Sequence, residues 1–261
     1  MSRLLEITDL SLRYGHAQIL DRVSLRVDRG ETVGLVGESG SGKSSTVRAA
    51  LRLLPPTAAV EGEVRIAGRD VLAADARTLR DIRASEAGLI QQDPRGALNP
   101  VRRIGDSLTE RLVRVHGVGR AEAKQRGLEL LAAVGISRPE QRFRQYPHEL
   151  SGGMLQRVVI AAALTTRPEL LFADEATSAL DVTTQAEVLA ILRDQQRERG
   201  LGVLFITHDL HLAAAYCDRV YVMLRGEIVE ELHGADLFTG ATQPYTRSLL
   251  DAVPSIREHE A

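Results

Sequence analysis

The chain has 261 residues, 44% hydrophobic, 26% charged and 3% aromatic, which suits one large domain or two small ones and excludes a wholly disordered chain. Thirty-three basic against 35 acidic residues leave a net charge of -2, unlike a polycation that coats nucleic acid, and the lone Cys217 excludes an internal disulfide or a cysteine-ligated cluster. The N-terminus turns charged at once, unlike a secretory leader, and the longest uncharged apolar-rich run, 158–166, is far short of the roughly 20 residues that span a bilayer, so a soluble cytoplasmic chain is expected.

Short β-type runs open the chain at 4–7, 23–27 and 32–36, the last entering a glycine-rich turn. A helix is predicted over 43–54, ended by Pro55 and Pro56. Residues 60–67 alternate apolar and polar as a half-buried strand does, and 89–91 read as a strand closed by Asp93 and Pro94. From 93 to 149 the pattern turns helical, with helices over 104–115 and 120–134, each closed near a glycine. This stretch holds 11 basic and seven acidic residues, a net of +4 that leaves -6 for the remainder. It reads as an inserted, mildly basic helical subdomain, either a solvated arginine-rich face or an anion or membrane contact. Next come a helix over 151–165, a strand over 170–173, a helix over about 183–199 and a strand over 203–206. A short helix from Asp209 precedes paired strands at 220–224 and 228–232. Such alternation predicts an α/β fold with a mainly parallel sheet. Residues 234–261 read as two short helices, the second starting at Pro244, and a frayed end.

Two stretches carry chemistry. Gly37, Glu38, Ser39, Gly40, Ser41, Gly42, Lys43 and Ser44 follow an apolar strand and open a helix in the pattern G-x-x-x-x-G-K-[ST]. Glycines let backbone N–H groups turn inward around phosphate oxygens, and the helix N-terminus adds its dipole. Lys43, one of only two lysines in the chain, is placed to neutralise β- and γ-phosphate charge, and the Ser44 hydroxyl to ligate magnesium. The apolar run 170–173 ends in Asp174 and Glu175. Neighbouring strand residues point to opposite sides, so Asp174 is assigned to magnesium and Glu175 to the attacking water.

Leu150-Ser151-Gly152-Gly153-Met154-Leu155-Gln156-Arg157 resembles the LSGGQ-type signature of ATP-binding cassette (ABC) ATPases, and the resemblance covers nearly the whole chain. It implies a P-loop NTPase (RecA-like) core with a parallel sheet, an N-terminal antiparallel β part and an inserted α-helical signature subdomain. The expected division of this single cassette over 1–261 is core at 1–92 and 158–233, helical subdomain at 93–157 and C-terminal tail at 234–261. Tyr14 matches the aromatic that stacks on adenine, and Gln92 the glutamine that joins the core to the helical part and meets magnesium. Residues 178–181, ending in Asp181, match the loop after the acidic strand, and His208 the histidine that contacts the γ-phosphate. The family pattern extends the ATP-binding set to Ser45. It further implies that Ser151, Gly152 and Gly153 complete the ATP site of a second ATPase subunit, a copy or a paralogue. His208 and His211, three apart at a helix start, also have metal-binding spacing, but no cysteine or further histidine lies nearby in sequence and the γ-phosphate role is preferred. His16, His116, His148, His233 and His259 carry no constellation and read as surface residues. Cys217 reads as a small apolar residue.

Gln92-Asp93-Pro94 with Ala97-Leu98-Asn99-Pro100, and Gln243-Pro244-Tyr245-Thr246-Arg247-Ser248-Leu249-Leu250 with Ala252-Val253-Pro254, resemble the dipeptide, oligopeptide and nickel importer branch. The branch implies ATP and Mg2+ as cofactors, two transmembrane permease subunits and, indirectly, an extracytoplasmic solute-binding protein, with no nucleic acid. The motor would lie on the cytoplasmic face of the membrane. A non-transport cassette, such as a carbon–phosphorus lyase accessory subunit, is the alternative. Ala176 departs from the usual proline and Gln91 from the usual aromatic; neither removes a ligand or base.

Overall fold

Short strands with both faces buried and longer strands with one face buried sort this chain into two sheets. The computed structural model describes residues 3–178 and 180–253; Ala179, Pro254 and His259 lie outside them. β1 (Arg3–Tyr14) and β2 (Ala17–Asp28) form an antiparallel hairpin, longer than the predicted runs. Asp9 and Arg22 take left-handed φ angles of 48° and 47° near shifts in the pairing, so the apolar alternation slips within each strand. β3 (Thr32–Val36) leads through residues 37–42 into α1 (Lys43–Ala50). This helix stops short of the predicted residue 54. Arg52 adopts φ 51°, and the amides of Arg52 and Leu53 close back on the carbonyls of Ala49 and Arg48 at 2.9 and 2.7 Å, ending the helix before either proline.

β4 (Ala58–Ile66) and β5 (Arg69–Asp70) complete a four-stranded antiparallel sheet in the order β2-β1-β4-β5. α2 (Ala76–Asp81) runs into a wide π-type turn over Ile82–Glu86, and β6 (Ala87–Ile90) follows. The helical stretch comprises α3 (Pro94–Ala97), α4 (Ile104–Arg114), α5 (Arg120–Ala133) and α6 (Pro139–Phe143), then α7 (Gly152–Leu164). Within it Glu110 pairs with Arg102 and Arg114, and Glu122 with Arg126, which offsets part of the basic excess. α7 packs on α3, α4 and α5 and also on β6, so a division of the chain at residue 157 cuts a continuous helix. β7 (Leu170–Asp174), α8 (Val182–Arg199), β8 (Gly202–Ile206), α9 (Leu210–Tyr216), β9 (Arg219–Leu224), β10 (Glu227–His233) and α10 (Pro244–Asp251) finish the described chain.

The second sheet has the order β10-β9-β3-β8-β7-β6, parallel throughout except for the β9–β10 hairpin. Its strands alternate between two cores. Leu171, Ala173, Val203 and Phe205 face the helices; Leu170, Phe172, Leu204 and Ile206 face α1 and the antiparallel sheet. The uncharged run at 158–166 is the largely buried second half of α7 with the two residues after it, and among the described residues no helix is long and apolar enough to cross a membrane.

One buried cation ties the two sheets together. The Arg219 guanidinium on β9 donates to both carboxylate oxygens of Glu31 at 3.0 and 2.9 Å, to Glu231 on β10 at 2.9 Å and to the Arg26 carbonyl on β2 at 3.2 Å. Removing Arg219 would leave the half-buried Glu31 without its cation, while Glu231 keeps its access to water. Arg219→Met is therefore expected to lower stability by about 1–3 kcal/mol in urea unfolding, against a near-neutral effect for the exposed Arg225.

Candidate functional site

The parallel strands end on one edge, and the site residues there converge from the turns after β3, β6, β7 and β8. After β3 the chain must reverse over Met223 of β9. A Cβ on Gly37, at φ 150°, would lie 2.2 Å from the Met223 carbonyl oxygen; one on Gly42, at φ 113°, would lie 2.8 Å from Leu20 of the hairpin. Glycine is thus required by space as well as by backbone angle. The loop is tied behind by the Gly226 amide, which donates to the Ser41 carbonyl at 2.8 Å. Lys43 turns its ammonium into the loop and donates to the carbonyls of Gly37 and Glu38, each at 2.7 Å. Burial pushes the Lys43 pKa down, opposed by the charges of Glu175, Asp174 and Glu38. Ser39, Gly40 and Glu38 are exposed along the mouth of the loop, with Ser44 and Ser45 half-buried below it.

At the end of β7, Asp174 accepts a hydrogen bond from the Ser44 hydroxyl at 3.0 Å. Burial pushes its carboxyl pKa up, the Ser44 bond opposes that, and the neighbouring Glu175 charge raises it further. Glu175 has φ 48°, a conformation that costs a non-glycine residue roughly 1–3 kcal/mol. Several bonds hold it there. Its amide donates to the Ile206 carbonyl at 3.1 Å, and its carbonyl accepts from the Ser178 amide and hydroxyl at 3.2 and 3.0 Å. Its side chain accepts from the Gln92 amide at 2.6 Å and lies 3.6 Å from His208 Nδ1. Asp174, Gln91, Gln92 and Arg48 line one cavity of about 360 Å³; Glu175, Ser178 and His208 line another of about 150 Å³.

The edge suits a phosphate chain and its magnesium ion. Gly37 and Gly42 let the loop pack against Met223 and Leu20 with its backbone tightly turned, and Ser44 with Asp174 presents two hard oxygens side by side. Tyr14 closes the β1–β2 hairpin opposite Ala17 and packs on the core cluster that contains Leu20, Val47 and Met223. His211 stacks on Phe238 with ring centroids 4.8 Å apart, while His208 turns to Glu175, which separates the two in function. Cys217 is buried, and burial pushes its thiol pKa up, as expected of an unreactive core residue.

Ser151, Gly153 and Asp181 do not join this edge. They line a separate cavity of about 260 Å³ with Arg157 and Thr184. Ser151 caps α7, accepting from the Met154 amide at 3.4 Å. Asp181 caps α8, its two oxygens taken by the amide and hydroxyl of Thr184 at 2.9 and 2.8 Å.

The family model described as ABC transporter matches residues 20–178. The chain is 43% identical to the oligopeptide transport ATP-binding protein OppD of Bacillus subtilis, across 98% of this chain and 73% of that one. The chain belongs to the ABC transporter family. It is 47% identical to a probable peptide ABC transporter ATP-binding protein, y4tR, of Sinorhizobium fredii, across 97% of this chain and 78% of the relative. Among solved structures it resembles the dimeric post-hydrolysis state of the ATP-binding cassette MJ0796 bound to ADP and Pi, with a TM-score of 0.79 and 29% identity over 88% of this chain and 98% of that one. The ABC fold seen here is that of an ATP-hydrolysing cassette, and such cassettes dimerise and work with permease subunits.

One residue of the signature stretch has a role that the motif does not supply. Gln156 on α7 is 1% exposed and donates to the carbonyl of Ala176 at 2.6 Å, directly after the strained Glu175. Besides its place in that stretch, its sequence signal is a polar residue among the apolar neighbours of α7. Gln156→Leu should lower kcat for ATP hydrolysis by roughly tenfold or more through loss of Glu175 placement, with KM for ATP near the wild-type value in steady-state assays.

Proposed function

We propose that this protein is the ATP-hydrolysing subunit of an ABC importer for peptides, with Glu175 as general base. The observation that carries the reading is the Glu175 carboxylate, bonded to Gln92 and facing His208, on the sheet edge where Lys43, Ser44 and Asp174 also meet. Amides of residues 37–45 and the Lys43 ammonium bind the phosphates, and Tyr14 stacks on adenine. Ser44, Asp174 and Gln92 would hold magnesium, whose chemistry is to neutralise charge on the β- and γ-phosphates. Glu175 takes a proton from the water that attacks the γ-phosphorus, while Lys43 and His208 stabilise the spreading negative charge.

Ser151, Gly152 and Gly153, with Asp181 beside them, serve the ATP site of a second ATPase subunit, which is a copy of this chain or a paralogue. Their separation from the P-loop edge supports that arrangement: the small residues at the start of α7 offer an anion site with a positive dipole end. The relatives' names favour peptides over nickel or metal chelates as the solute. The partners are two permease subunits and, through them, a solute-binding protein, with the motor docked on the cytoplasmic face of the membrane.

Glu175→Gln tests the base directly. ATP turnover is expected to drop by about 10²-fold or more, while equilibrium ATP affinity stays within about twofold of wild type. Turnover at the wild-type rate would overturn the assignment. Purification from detergent-solubilised membranes should bring permease chains with the protein; recovery of soluble enzyme subunits alone would overturn the transport reading.

A further inference from the structure

The stretch at 243–253 serves no step of ATP chemistry, yet it reaches the phosphate-binding loop. α10 lays Tyr245, Leu249 and Leu250, with Val253 just beyond, against the helix-side core. The turn before it is anchored by Glu230 of β10, whose Oε1 accepts from the amide and hydroxyl of Thr242 at 2.7 and 2.6 Å and from the Gln243 amide at 3.2 Å. Burial pushes the Glu230 pKa up, but the bonds from Thr242 and Gln243 outweigh it and hold the carboxyl at about 2. The acceptor therefore stays charged throughout the neutral range, and its contribution fades only as pH falls from the ordinary carboxylate value through 2.

So seated, the Tyr245 hydroxyl accepts a hydrogen bond from the Glu38 amide at 3.3 Å, across 207 residues of sequence. The far side of Glu38 is engaged as well, because its carbonyl accepts from the Lys43 ammonium at 2.7 Å. One residue of the loop is thus held by the tail through its N–H and holds the phosphate-binding lysine through its C=O. With Gly37 buried against Met223 and Ser41 tied to Gly226, Glu38 lies in the exposed part of the loop; its carbonyl also accepts from the Ser41 amide at 3.2 Å, so the tail's hold on it is through the N–H.

We infer that Tyr245 is a positioning residue of the nucleotide site: its hydroxyl sets the Glu38 peptide, and through it the loop and Lys43, in the conformation that receives phosphate. The inference rests on the ATP-site reading above and gives the C-terminal helix a task inside it. Tyr245 touches neither Glu175 nor His208 in the hydrogen-bond and ion-pair network, so its loss should act on binding rather than on the chemical step.

Tyr245→Phe keeps the ring and removes only the hydroxyl. Titration of the full-length protein with ATP and Mg2+ should show a Kd raised roughly three- to tenfold, the size of one hydrogen bond. KM for ATP should rise in parallel with kcat unchanged, and the melting temperature without nucleotide should stay within about 2 °C. Glu230→Gln, which loosens the seat of the helix, should weaken ATP binding in the same direction, and the double variant should lose less than the sum of the two. Wild-type Kd and KM in Tyr245→Phe, or a fall in kcat alone, would overturn the assignment. Failure of the wild-type protein to bind ATP would instead overturn the site itself.

Discussion

One ammonium and two carboxylates share the C-terminal edge of the parallel sheet, and burial acts against the charges of Lys43 and Asp174. Their clustering is what the rest of the fold arranges. β3 and β7 carry them to the same edge with β8 between, and the two cores on either face of the sheet keep those strands in place. The lysine donates to loop carbonyls and the aspartate accepts from Ser44. A polyphosphate with a divalent cation matches both needs at once, since it offers Lys43 anionic oxygens and gives Asp174 a positive neighbour. An edge that is costly alone and satisfied by ligand is what a binding site gains from sacrificing stability.

α7 gives that edge a second connection. Its first turn presents Ser151 and Gly153 to a separate cavity, and one turn further on Gln156 holds the carbonyl that follows Glu175. Arg157, next along the helix, donates to the carbonyls of Val134 and Gly135 after α5 and to Thr184 of α8, which in turn engages Asp181. A single rigid helix thereby touches the signature, the strained glutamate and the cap of the following helix. Contacts of the folded chain thus connect the start of α7 to the loop that holds Glu175. In this chain the residue after the glutamate is Ala176, not the family's usual proline, and Gln156 adds its bond to those that Ile206, Ser178 and Gln92 make to Glu175.

The features legible in the sequence were those with local physical causes. A glycine at 37 or 42, a lysine at 43 and an apolar strand before them are requirements of one short segment, and the structure shows why: carbonyls and side chains fill the space a Cβ would need. Both-face burial also writes itself into β3, β7 and β8 as uninterrupted apolar runs. What stayed hidden depends on backbone angles or distant partners. The extents of β1 and β2 turn on left-handed residues Asp9 and Arg22 that displace the alternation, and the end of α1 on Arg52, a residue type with no particular affinity for that angle. Gln156 and Tyr245 matter through partners 20 and 207 residues away, and no spacing rule within either segment predicts such a partner.

Thermal unfolding of wild type and Asp174→Asn, each with and without ATP and Mg2+, addresses the charged edge most directly. Removing the Asp174 charge takes away a carboxylate that burial and Glu175 both disfavour, so the variant without nucleotide should melt higher than wild type, by about 2–4 °C for each kcal/mol relieved. Wild type should gain several degrees from ATP with Mg2+, about 2.7 kcal/mol of stabilisation at one hundred times Kd, and the variant should lose the part of that gain that depends on the metal. A variant that melts lower than wild type without nucleotide, yet keeps the full metal-dependent gain, would contradict the account.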